Sequence, residues 1–195
     1  MNSSANASAE SAMLLSWRRT DVVGLELLAL TIGGERVLAQ STVICIEDGG
    51  FRLDHAWELT GDWRAMSLKV VRQDTDGRRA LTLERDGNSW RVDGERRADL
   101  DGTEEPDLSV TPFCNTLPIR RMTTAAASAD LTLDTAYVSG ADLTVARSRQ
   151  RYVRQGPRRF RYIDLGLSAG FEADLEVDDL GLVLHYQHLF ERVVG

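Results

Sequence analysis

Few residues in this chain have the type and spacing that chemistry requires. The three histidines are His55, His185 and His188. His185 and His188 stand three apart and, with a carboxylate, match part of a metal-ligand pattern. On a strand that spacing sends them to opposite faces, so no metal site is expected. His55 shares its strand face with Phe51, Leu53, Trp57 and Leu59. It is either a core histidine with satisfied nitrogens or a cavity-facing group that hydrogen-bonds a ligand. The two cysteines, Cys45 and Cys114, are too few for a disulfide framework or a zinc site, and each reads as a buried free thiol. There is no G-x-S-x-G elbow, no Gly-rich phosphate loop and no H-E-x-x-H. The carboxylates are too many to single out a catalytic pair. No catalytic residue and no cofactor follow from these patterns.

The elements that must position such residues are strands. Gly33-Gly34, Asp48-Gly49-Gly50, Thr60-Gly61-Asp62, Asp74 to Gly77, Asp86-Gly87-Asn88 and Asp93-Gly94 separate runs of alternating polarity. Residues of these types accept the positive φ of tight hairpins, so the spacing predicts an antiparallel sheet. In 171–178, Phe171, Ala173, Leu175 and Val177 alternate with Glu172, Asp174, Glu176 and Asp178. That gives one dry and one wet face, which a helix would mix. Strands are expected near 13–19, 24–32, 35–47, 51–59, 63–73, 78–85 and 89–92. In the second half they are expected near 127–138, 143–155, 158–165, 171–178, 182–186 and 189–194.

Residues 103–122 differ, because they hold Pro106, Pro112 and Pro118. Proline lacks the N–H of a central strand. Thr111-Pro112 suits the N-cap and first position of a short helical turn, and Pro118 disfavours helix at Leu117. The segment reads as a connection between β-rich halves 13–102 and 123–195. Val43 to Phe51 and Tyr152 to Phe160 share a spacing, which suggests an internal duplication.

The chain has 195 residues, 43% hydrophobic and 27% charged, enough to bury a core without disulfides. Its net charge of −7 disfavours nucleic acid as a partner. Lys69 is the only lysine, and the arginines cluster at Arg120-Arg121, Arg147 to Arg154 and Arg158 to Arg161. Residues 1–12 are rich in Ser, Ala and Asn, without the apolar run of a signal peptide. They read as a disordered tail on a cytoplasmic protein, and no run reaches transmembrane length.

Two strands suggest a hollow. One face of 37–45 carries Val37, Ala39, Ser41, Val43 and Cys45. One face of 144–152 carries Thr144, Ala146, Ser148, Gln150 and Tyr152, with arginines opposite. A sheet rolled into a barrel or half-barrel around such small side chains leaves volume, unless aromatics from other strands fill it.

The stretch from Leu83 to Met122 resembles the signature of a bacterial family described as putative glycolipid-binding. Gly87, Trp90, Val92, Asp93 and Gly94 match its hairpin. Asp107, Leu108, Thr111, Pro112, Asn115, Thr116, Leu117, Pro118, Ile119, Arg120 and Arg121 match its central segment. Trp17, Gly24-Leu25-Glu26, Gln150-x-Tyr152, Phe171, Val177-Asp178, Gly181-Leu182-Val183 and Tyr186 follow in order. The chain departs from the pattern at Thr103 to Pro106 and at Gln187. The resemblance implies an all-β sheet rolled around a cavity, shaped like bacterial lipoprotein carriers, and a lipid or glycolipid-like partner. The residues it assigns to such a ligand, with those of the apolar strand faces, are His55, Trp57, Asp107, Asn115, Thr116, Arg120, Arg121, Gln150, Tyr152 and Tyr186. Two other readings stay open: an enzyme acting on a small amphiphile in the same cavity, and an interaction module without a ligand.

Overall fold

The computed structural model describes residues 11–124 and 129–193. The expected tail therefore lies outside the described residues up to residue 10, as do 125–128 and 194–195. Ser11 and Ala12, expected in the tail, open the first strand.

Hairpin-connected strands build the first half. They are β1 (Ser11–Arg19), β2 (Gly24–Gly33), β3 (Arg36–Cys45), β4 (Phe51–Thr60), β5 (Ala65–Asp74), β6 (Gly77–Asp86), β7 (Ser89–Val92) and β8 (Glu95–Arg97). The second half holds β9 (Glu105–Leu108), β10 (Asp130–Val138), β11 (Val145–Gly156), β12 (Arg159–Asp164), β13 (Glu172–Val177), β14 (Val183–Tyr186) and β15 (Phe190–Val193). One sheet of 15 strands contains them all, in the order 8-7-6-5-4-3-2-1-15-14-13-12-11-10-9. The two meanders join where β1 pairs antiparallel with β15. Alternation explains which face is inside: β2 buries Gly24, Glu26, Leu28 and Leu30 and exposes Leu25, Leu27 and Ala29.

The sheet is strongly curled but not closed by backbone pairing. Arginine side chains bridge its ends instead. Arg72 donates to Gly140 O at 2.8 Å, Arg97 to Val145 O at 3.1 Å and Arg147 to Asp101 O at 2.9 Å. Glu105 is buried with Arg85 beside it, and its Oε2 accepts the Ala65 N–H at 2.9 Å. No helix among the described residues is long and apolar enough to cross a membrane.

Two expectations are corrected. The sheet is not wholly antiparallel, because β9 runs parallel to β10 at the sheet's edge. Pro106 sits in β9, on the kind of edge where its missing N–H is tolerated. The central turn is also longer than expected. A 3-10 turn at Pro112–Asn115, capped by the Thr111 side chain on Phe113 N–H, runs into α1 (Thr116–Thr124). Pro118 falls in the first turn of α1, where backbone N–H groups have no intrahelical acceptor, so it does not prevent the helix.

The two corrections share a cause. Parallel neighbours cannot be joined by a hairpin and need a crossover. Here the crossover passes over the concave face of the sheet, and Val110 to Ile119 are buried without a break. Phe113 packs on Trp57 of β4 (centroids 5.7 Å apart) and on Trp63 (6.4 Å). Arg120 lies over the Trp63 ring at 4.1 Å and donates to Leu180 O. The hollow expected from small side chains on β3 and β11 is thus largely occupied by the chain's own central segment. The two hairpins of the suggested repeat are β3–β4 and β11–β12, the third and fourth strands of each half. The parallel β9 has no counterpart in β1–β8.

Candidate functional site

What the crossover leaves unfilled is a part-open cavity of about 270 Å³ on the second half's side of the roll. The edge strand β9 and the 3-10 turn supply Asp107, Thr111, Cys114 and Asn115. Strands β10, β12, β14 and β15 supply Tyr137, Tyr162, Asp164, Tyr186 and Phe190, and the neighbouring turns add Ser168, Phe171 and Leu189. The inward register of β12 explains two of these. Phe160, Tyr162 and Asp164 are buried, while the arginines Arg159 and Arg161 face out.

The walls are aromatic. Tyr162, Phe171 and Tyr186 form a triangle with centroids 6.0 to 6.4 Å apart, and Phe190 lies 6.2 Å from Tyr186. Two carboxylates stand among the cavity's polar groups. Asp107 Oδ1 accepts the Cys114 thiol at 3.0 Å, and Oδ2 accepts the Gln150 amide. Behind it, Tyr152 donates to Gln150 Oε1 at 3.3 Å. Asp164 Oδ2 accepts Tyr162 O–H at 3.0 Å, while Oδ1 accepts the Gly166 N–H at 2.8 Å and the Ser168 N–H at 3.1 Å. Gly166 is required there: a Cβ would stand 2.5 Å from Arg149 N and Ser148 Oγ. Asn115 is buried, and its carboxamide oxygen has no partner.

No Lys, Arg or His lines this cavity. Burial, with a smaller contribution from Asp164, pushes the Asp107 carboxyl above its usual range. Burial and the Asp107 carboxylate push the Cys114 thiol well up. A thiol held neutral beside a carboxylate, with no imidazole, is not an activated nucleophile. The phenols of Tyr162 and Tyr186 are likewise pushed up, chiefly by burial, and stay as neutral O–H groups.

A second buried polar group adjoins the cavity through Thr111. Glu26 Oε1 accepts Ser41 Oγ–H at 2.8 Å, Thr111 Oγ1–H at 2.9 Å and the His55 Nε2–H at 3.0 Å. Trp57 Nε1–H donates to His55 Nδ1 at 3.0 Å, which fixes the proton of the neutral imidazole on Nε2. The network ties the start of the crossover to β2, β3 and β4.

Of the ten residues the sequence assigns to a ligand, the structure brings Asp107, Asn115 and Tyr186 to the cavity wall. Gln150 and Tyr152 stand directly behind Asp107. The other five do not line it. His55 is spent on Glu26 and Trp57. Trp57 is fully buried against Phe113, and Thr116 is enclosed in the core. Arg120 stacks on Trp63, and Arg121 pairs with Glu104 and Glu105. These five lie elsewhere because the crossover that carries or covers them packs into the sheet. Sequence reasoning missed Cys114, Tyr137, Tyr162, Asp164 and Phe190. The signal for Asp164 was present, since an acid that follows Phe160 and Tyr162 on the inward face of an alternating strand has to find donors. Among the described residues no group of His, Cys, Asp and Glu could hold a metal.

No curated protein matches the chain. A DUF1089 family protein from Pseudomonas aeruginosa, known from its crystal structure, is 28% identical. It superposes with a TM-score of 0.73, covering 99% of this chain and 97% of that one. The family model described as putative glycolipid-binding matches residues 14–192, nearly all of the described chain, and the protein belongs to that family.

Proposed function

We propose that the protein binds the polar, ring-sized head of a glycolipid-like amphiphile and leaves the tail outside the fold. The observation that carries this reading is the cavity. At about 270 Å³ it lies just below the ~300–1,000 Å³ that hold drug-sized ligands, so it suits one ring better than a long chain. Aromatic faces stack on the apolar faces of a sugar, and carboxylate and carboxamide oxygens accept from its hydroxyls. The packed crossover removes the room that an acyl chain needs. The neutral Cys114 thiol and the lack of a nucleophile–base pair favour binding over catalysis.

Affinity measured across a glycolipid series of one head and increasing tail length tests it. A buried tail gains about 0.8 kcal/mol per CH2, whereas a tail in solvent gains almost nothing. The expected series is flat, and the tail-free head competes. A steep rise with tail length, or no competition by the head, overturns the reading.

One observation favours a second reading, an interaction surface. The outer face of β1–β3 exposes Leu14, Leu25, Leu27, Leu38 and Ile44. Native mass spectrometry on the same samples separates the two, since it reports bound small molecules and the number of chains together.

A further inference from the structure

We propose that the head recognised in the cavity carries an organic ammonium group, as an amino sugar or a choline-like head does. The proposal rests on the head-binding reading above and names the chemistry of its ligand. Tyr162, Phe171 and Tyr186 all line the cavity, with their rings tilted 50 to 60° to one another. A cation over the face of such a ring is attracted by the ring quadrupole, more so where water is excluded. Two carboxylates, Asp107 and Asp164, stand in the same walls, and no basic side chain lines the cavity to offset them. Buried Glu105, by contrast, has Arg85 and Arg121 beside it, and buried Glu26 has two hydroxyls and His55. Among the described residues Asp107 and Asp164 are held by neutral donors alone. Asn115 adds an independent sign of a missing donor, because its buried carboxamide oxygen lies unpartnered in the same wall. A primary ammonium brings N–H donors and a positive charge, and a quaternary one brings the charge alone. Neutral sugars bring only hydroxyls, and anionic heads meet like charge.

The test titrates the full chain at neutral pH with three tail-free probes: glucosamine, N-acetylglucosamine and choline. Calorimetry or NMR reads binding. The expected result is that the two amines bind and that N-acetylglucosamine binds at least about tenfold more weakly. Asp107→Asn then weakens both amines by about tenfold and leaves N-acetylglucosamine unchanged. Phe171→Leu, which keeps an apolar wall but removes a ring face, weakens choline several-fold and serves if Asp107→Asn does not fold. Equal binding of the two sugars with no binding of choline overturns the ammonium and leaves the sugar reading standing. Choline binding alone keeps the ammonium and removes the sugar. Silence from all three probes overturns both.

Discussion

The packed crossover makes a prediction that a hollow roll would not share, and Phe113→Ala is its sharpest form. Phe113 is fully buried between Trp57, Trp63 and the β-sheet. Losing its ring from contact costs roughly 2 kcal/mol of transfer free energy. If the surroundings relax only partly, a residual void of ~80 Å³ adds about 2 kcal/mol at ~24 cal/mol per Å³. The edge contacts with the two tryptophans are worth about 0.5–1.5 kcal/mol each, and part of that is already counted in the burial. The expected loss is therefore about 4 kcal/mol, at the middle of the range for Phe→Ala in cores. Urea unfolding followed by tryptophan fluorescence is the assay, because Trp57 and Trp63 report directly on the site. With a slope of about 2–3 kcal/mol per M, the midpoint falls by about 1.3–2 M. A loss below about 1 kcal/mol, with the slope unchanged, would refute the packing described here. It would mean that the 3-10 turn does not fill the concave face and that the roll is open.

Other outcomes follow from the same contacts. Thr111→Val removes both the cap on Phe113 N–H and one donor to buried Glu26. It is expected to cost about 2–3 kcal/mol in the same unfolding assay, and a loss under about 0.5 kcal/mol would show that the network does not anchor the crossover. Asp107 has a folded-state pKa above its unfolded value, so the folded chain holds this proton more tightly. Its contribution to stability is whole below the usual aspartate pKa of about 3.9 and is lost as pH rises through the folded value. Asp107→Asn abolishes that loss. Melting curves across this range should show the variant gaining on the parent protein as pH rises, on top of a pH-independent offset, whereas parallel profiles would refute the assignment.

Much of the fold was legible because hairpins are local. Asp-Gly and Gly-Gly turns and period-two alternation depend on neighbours a few residues apart, and they placed most strands of both meanders. That Pro106 could not sit in a central strand, and the Thr111 cap, were equally local, since each follows from one residue's missing or available hydrogen-bonding group. The family pattern also pointed to Asp107, Asn115 and Tyr186. Tertiary structure alone decided the rest. The parallel pairing of β9 with β10 is made by chain segments separated by the whole crossover, and no period in either strand announces it. That pairing sends the crossover onto the concave face, where it spends His55, Trp57 and Thr116 on packing and leaves the aromatic cavity beside the second half's strands. The cavity wall is drawn from β9, β10, β12, β14, β15, the 3-10 turn and the loops beside them. Its chemistry, an aromatic niche with acids and no cation, is a property of where those strands meet in space rather than of any one of them.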